Sequence, residues 1–275
     1  MLELIKVILL GIIEGVTEFL PISSTGHLIA AVAILRPAMG PGTIESFEIF
    51  IQLGAVVAVI AWYRADLLAK LSTLTASRDT QRFALALIVA FFPAAIIGVL
   101  TREIIKEVLF NPVVVAISLI VGGIALIAVE RLPRIRSLTT TTVELETITP
   151  RHALIIGLLQ TLALIPGVSR SAASIVGGML TGLNRQTATA FSFYLAIPTL
   201  GLATIADLVF SLDEINTADL LYFFIGAVVA GIVAWLSIRW LLRYVATHTF
   251  APFGVYRIIA GIILLILVAT GIASQ

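Results

Sequence analysis

The sequence predicts an all-α integral membrane protein: six transmembrane helices and two re-entrant helix–loop–helix hairpins, arranged as an inverted-topology repeat. Three observations lead there. The 275-residue chain is 60% hydrophobic and only 12% charged, against roughly 45–50% and about 25% in soluble domains. Six runs approach the roughly 20 apolar residues needed to cross a ~30 Å hydrocarbon core. Two further apolar regions are interrupted near their middles by proline-containing polar loops. The net charge of +1 gives no reason to expect nucleic acid as a partner. With no cysteine, there is no disulfide, thiolate metal site or catalytic thiol.

The first hairpin occupies residues 2–35. Its opening MLELIK has no basic n-region, and Glu14 and Glu18 interrupt the apolar stretch. The segment therefore reads as part of the fold rather than as a cleaved leader. The loop PISSTG, from Pro21, divides it into pieces of about 10 to 18 residues, short for a full crossing and better placed as helices that enter and return. Spans follow at 45–62, 82–100 and 112–130. The polar linker 131–151 carries the Thr139–Thr142 run. A second hairpin, 152–182, is broken by PGVSRS from Pro166, and spans at 187–210, 218–240 and 254–273 complete the chain.

This is one membrane domain, 1–275, with a first repeat at 1–130 and a second at 152–275. Pro21–Ser24 recurs as Pro166–Ser169 at an offset of 145, and FEIFIQLGA from Phe47 matches FSFYLAIPT from Phe191 at an offset of 144. A hairpin plus three crossings is an odd number of passes, so the second copy is inverted, as in many transporter-type folds. The rival is chance likeness between two apolar sequences.

Charge sets the orientation. Arg64, Lys70, Arg78, Arg82, Arg131, Arg134, Arg136, Arg151, Arg185, Arg239, Arg243 and Arg257 fall on one side. Only Lys6, Arg36, Arg102 and Lys106 fall on the other, with the acidic Asp213, Glu214 and Asp219. The basic side is cytoplasmic. Both termini are then outside, and the first hairpin dips in from the outer face.

In each hairpin the returning helix begins at the loop. Ser23 or Ser24 is the expected N-cap of one, and Ser169 or Ser171 of the other. Two helix N-termini approaching from opposite leaflets focus free N–H groups on one point, an anion site. Arg170 adds a full charge there; an intramembrane arginine is a functional candidate, its bland alternative being snorkelling to the interface. Glu14 and Glu18, at i and i+4, share a helix face. Two carboxylates ~6 Å apart repel by about 3 kcal/mol at an effective dielectric near 20. A shared proton, a cation or the arginine must offset that, unless the face is simply solvated. A divalent ion bridging the pair to a phosphate is the economical arrangement. His27, three residues after Ser24, suits a base that activates a hydroxyl or a donor to a leaving group. Glu48 and Gln52 are supporting candidates.

These residues carry a resemblance. EGVTEFLPISSTGH (14–27) and PGVSRSAAS (166–174) resemble the two signature segments of the undecaprenyl-diphosphate phosphatases, the bacitracin-resistance family. The first holds an E-x-x-x-E at Glu14 and Glu18 and then the serine–histidine stretch. The second matches P-G-x-S-R-S-x-x-T, with Ser174 where the family usually has Thr, so the hydroxyl survives. The likeness runs the length of the chain.

It implies hydrolysis of undecaprenyl diphosphate to the monophosphate and inorganic phosphate. It further implies a bacterial inner-membrane enzyme dependent on a divalent cation (Mg²⁺ or Ca²⁺), its active site opening to the outer face, which recycles the lipid carrier for cell-wall polymers. Bacitracin would compete for the polyprenyl diphosphate rather than bind the protein. Membrane lipids are the other partners, and there is room for a homodimer. In the expected mechanism, Glu14 and Glu18 hold the ion. Ser23, Thr25, Ser169, Arg170, Ser171 and Ser174 bind substrate, while Arg170 and Glu18 also act in catalysis. Ser24 attacks with His27 as base and then acid, or water attacks directly with Ser24 as a donor. The rival function is a transporter or flippase of a polyprenyl phosphate lipid.

Overall fold

The computed structural model describes residues 1–137, 143, 145–210 and 219–272. The Thr139–Thr142 run and Asp213 and Glu214 lie outside these residues. Everything regular among the described residues is helical: α1 (Leu2–Thr17), α2 (Ser24–Leu35), α3 (Pro41–Trp62), α4 (Arg64–Thr73), α5 (Arg78–Ile104), α6 (Pro112–Glu130), α7 (Pro133–Arg136), α8 (Pro150–Gln160), α9 (Arg170–Thr181), α10 (Arg185–Phe210), α11 (Leu220–Tyr244) and α12 (Ala251–Ala269).

Six of them, α3, α5, α6, α10, α11 and α12, are long and apolar enough to cross a membrane, and each contains or largely overlaps an expected span. In hydrocarbon every backbone N–H and C=O must be satisfied within its own segment, so an apolar run of this length becomes a helix. Proline sets several starts. Pro41, Pro112 and Pro150 stand in first turns, where a missing N–H costs nothing and φ is already helical. Asn111 and Thr149 cap two of these starts, accepting from Val113 N–H and His152 N–H. α4 was not anticipated; it is a short surface helix with no buried residue.

Lipid tails supply no hydrophobic drive between helices, so close packing of small residues holds the bundle. The most extensive pairings are α6 with α12, α3 with α11, α1 with α11 and α5 with α8. A Cβ on Gly54 of α3 would fall 2.0 Å from the Ala227 carbonyl oxygen of α11, and one on Gly157 of α8 2.5 Å from that of Ala90 in α5. At one end, Glu130 ties three helices together. It takes Arg185 through Nε at 3.0 Å and Nη2 at 2.5 Å, and accepts the Phe250 N–H at the start of α12 at 2.8 Å.

One charge assignment is corrected. Arg257 is not a loop arginine: it lies within α12 and is fully buried. Only three residues of the expected span 254–273 precede it, which places it at the basic end, whereas the helix begins at Ala251.

Candidate active site

Two pairs of short helices build the site. α1 and α2 have 16 and 12 residues, α8 and α9 have 11 and 12, so none reaches the length of a full crossing. Both breaks end alike. Ser23 precedes α2 with φ 71° and ψ 104°, and Ser169 precedes α9 with φ 76° and ψ 116°. A non-glycine residue held at such angles costs of order 1–3 kcal/mol and persists only where its surroundings enforce it. In the second break Gly167 also has φ 95°, and a Cβ there would meet the Val115 carbonyl oxygen at 2.5 Å, so glycine is required twice over.

The enforcement comes from Arg257. Its guanidinium donates to the carbonyl oxygens of Pro21 in the first break (3.3 Å) and of Gly167 and Val168 in the second (3.0 and 2.9 Å). It also reaches Ser118 and Leu119 of α6 at 3.3 and 3.4 Å. Nη2 shares its two hydrogens among three of these carbonyls, while Nε and Nη1 take one each, a spread that a planar guanidinium can cover and a lysine ammonium cannot. Ser171 adds a direct stitch, its Oγ donating to the Leu20 carbonyl at 3.0 Å.

Where the breaks meet, three predicted residues come together, two from the first break and Arg170 from the second. Ser24 Oγ donates to Glu18 Oε2 at 2.7 Å, and Glu18 Oε1 pairs with Arg170 Nη2 at 3.1 Å. Arg170 also donates from Nη1 to the Ser192 carbonyl (2.9 Å) and to Ser192 Oγ (3.3 Å). Its guanidinium stands 5.8 Å from the Phe19 ring centroid. Ser174 and Ser192 are hydroxyl to hydroxyl at 2.7 Å. Ser169 caps α9, accepting Ala172 N–H at 3.3 Å, and touches Ser171 Oγ at 3.0 Å. Ser23 makes no such bond at the head of α2, which leaves the first-turn N–H groups there without a side-chain cap. Thr25 follows Ser24 in that turn, half-buried.

Glu14 is fully buried, and neither of its carboxylate oxygens has a partner. Glu48 on α3 lies within electrostatic reach of it. A buried carboxylate cannot be left so without large cost, and hard oxygen donors are what Mg²⁺ or Ca²⁺ takes. Two free oxygens on Glu14 and the remaining lone pairs of Glu18 therefore fit a divalent ion. Among the described residues no cluster of three or more His, Cys, Asp and Glu forms a ready-made cage; waters and substrate oxygens would complete the shell.

The structure does not bring His27 to Ser24. His27 Nδ1 meets the Ser23 carbonyl at 2.7 Å, and Nε2 the Tyr256 hydroxyl at 2.7 Å. A carbonyl only accepts, so Nδ1 carries the proton; when the ring is neutral, Tyr256 donates to Nε2. Both nitrogens are committed, and the acceptor for the Ser24 hydroxyl is Glu18. Three neighbours of the site escaped the sequence reading. Ser192 lay inside the quoted repeat FSFYLAIPT without a role, Tyr256 had no signal at all, and Arg257 carried the signal of a charge within an apolar run.

The chain matches the family model described as bacitracin resistance protein BacA over residues 7–263. It belongs to that family. Curated relatives agree over nearly the whole length. An undecaprenyl-diphosphatase of Methylobacillus flagellatus is 49% identical over 265 residues, 96% of this chain and 97% of the relative. Those of Verminephrobacter eiseniae and Deinococcus radiodurans are each 46% identical, covering 98% and 96% of this chain and 96% and 95% of their own.

Proposed function

We infer that this protein is a membrane phosphatase that hydrolyses undecaprenyl diphosphate to undecaprenyl phosphate and inorganic phosphate. The observation that carries the reading is the Ser24–Glu18–Arg170 constellation, set at the junction of two broken helices in a chain of the BacA family. A hydroxyl bonded to a carboxylate, beside a fixed cation and uncapped helix N–H groups, is suited to phosphoryl transfer, where catalysis is mostly positioning and charge stabilisation.

In this mechanism Arg170 and the first-turn amides of α2 bind phosphate oxygens. Ser24 Oγ attacks the terminal phosphorus while its proton passes to Glu18 Oε2. The bond from that phosphorus to the bridging oxygen breaks, and undecaprenyl phosphate leaves with the electron pair. Water then hydrolyses the phosphoserine. In the variant route water attacks directly and Ser24 only donates a hydrogen bond. His27 and Tyr256 brace the Ser23 turn rather than move the proton. Glu14 and Glu18 would hold Mg²⁺ or Ca²⁺, which would neutralise charge on the diphosphate.

The same reading makes 2–35 and 152–182 re-entrant hairpins and the halves an inverted repeat, with linker 131–151 cytoplasmic, both termini outside and the site opening to the outer face of the bacterial inner membrane. Supporting it are the matched positive-φ serines before α2 and α9 and the corresponding contacts of α1 with α11 and of α8 with α5. Purified protein in detergent should release phosphate from undecaprenyl diphosphate. No vectorial transport is possible there, so a protein without turnover in that assay would favour the transporter reading.

A further inference from the structure

We propose that Ser192 is a positioning residue for Arg170, holding Nη1 so that the phosphate is met by Nε and Nη2. The inference rests on Arg170 as the phosphate-binding residue. Ser192 lies on α10 and is wholly buried, as is Ser174 but for 1%.

The hydrogen bonds among the three residues have a single consistent direction. Ser174 has one hydroxyl proton, and the carbonyls of Arg170 at 2.9 Å and Ser171 at 3.2 Å can only accept it, the nearer being that of Arg170. The 2.7 Å contact between the serines must then be donated by Ser192 to Ser174 Oγ. That turns the lone pairs of Ser192 Oγ to Arg170 Nη1–H at 3.3 Å. The circuit is closed: guanidinium to Ser192, Ser192 to Ser174, Ser174 back to the carbonyl of Arg170. Members of such a circuit polarise one another in a low-dielectric interior.

The donor count shows what the circuit leaves free. Arg170 has five N–H groups. Two on Nη1 go to Ser192 O and Oγ, and one on Nη2 to Glu18. Nε–H is buried with no partner, and the second hydrogen of Nη2 is also uncommitted. A buried unpartnered donor on a guanidinium otherwise held at three points is the place for an anionic oxygen. Ser192 therefore decides which side of the guanidinium the diphosphate meets, without touching it.

Ser192→Ala is structurally mild. Nη1 keeps the Ser192 carbonyl at 2.9 Å and Ser174 keeps the Arg170 carbonyl, so one Nη1 hydrogen is the single donor that loses its acceptor. Initial rates with undecaprenyl diphosphate in detergent should show kcat down about tenfold, the weight of one charge-assisted hydrogen bond. KM should stay within about twofold, since the apolar tail supplies binding that the change does not reach, with thermal unfolding unchanged. In an Arg170→Lys background, where Nη1 does not exist, adding Ser192→Ala should cost no more than about twofold. The thermal shift produced by inorganic pyrophosphate reads the same cycle without turnover. It should shrink with Ser192→Ala in the Arg170 protein only. Equal losses in both backgrounds, an effect on KM alone, or unchanged kcat would overturn the positioning role while leaving Arg170 in place. Native turnover and native pyrophosphate shift in Arg170→Lys alone would overturn both.

Discussion

Glu18→Gln preserves the shape of the side chain and removes its charge, which tests the centre of the site from two directions. Glu18 Oε1 is 3.1 Å from Arg170 Nη2, a gross attraction of about 5 kcal/mol at an effective dielectric near 20. Removing one partner of a buried pair costs roughly 3–5 kcal/mol. Arg170 would still hold the Ser192 carbonyl and hydroxyl, and its side chain keeps 11% exposure, so the lower end, about 3 kcal/mol of stability, is expected. The amide oxygen will turn to Arg170, leaving the NH₂ facing Ser24 at the place where Oε2 now accepts its hydroxyl. Ser24 then changes from donor to acceptor and has no group to take its proton. Loss of a general base costs about 10²–10⁴ in rate. The assay is initial phosphate release at saturating undecaprenyl diphosphate in detergent, beside thermal unfolding of the same preparation. Near-native turnover would refute Glu18 as the proton acceptor, and an unchanged unfolding temperature would refute the buried pair.

The remaining predictions concern neighbouring groups. Glu14→Gln should leave stability equal or raised, because it removes a buried carboxylate with no partner, while raising the metal concentration needed for turnover. Chelation should abolish native activity and added Mg²⁺ or Ca²⁺ restore it; full activity in excess chelator would remove the metal role. Ser24→Ala should cost several orders of magnitude in kcat if the hydroxyl attacks, whereas a loss equivalent to about 1–3 kcal/mol would assign attack to water. With no native cysteine in the chain, Thr75→Cys should label from the cytoplasm and Asp219→Cys from outside; labelling of both from one face would break the inverted arrangement.

The sequence by itself determined the elements. Apolar runs of sufficient length became helices near their expected bounds, because in hydrocarbon a backbone is satisfied locally or not at all. Pro41, Pro112 and Pro150 marked starts for an equally local reason. The two breaks, and the serines, Arg170 and Glu18 around them, were legible because polar groups in an apolar run are costly and so conspicuous. Which of them would touch was not legible. Glu18 and Arg170 are 152 residues apart, and Arg257 clasps carbonyls at Pro21 and Gly167 that no spacing rule connects to it. His27 followed Ser24 closely enough to suggest a base, yet its own helical turn gives it the Ser23 carbonyl and the packing of α12 gives it Tyr256. Ser192 was one serine among many until α10 packed beside α9. Hydropathy and helix starts are sums over neighbouring residues, whereas the partner of each buried polar group is decided by how helices remote in the chain pack together.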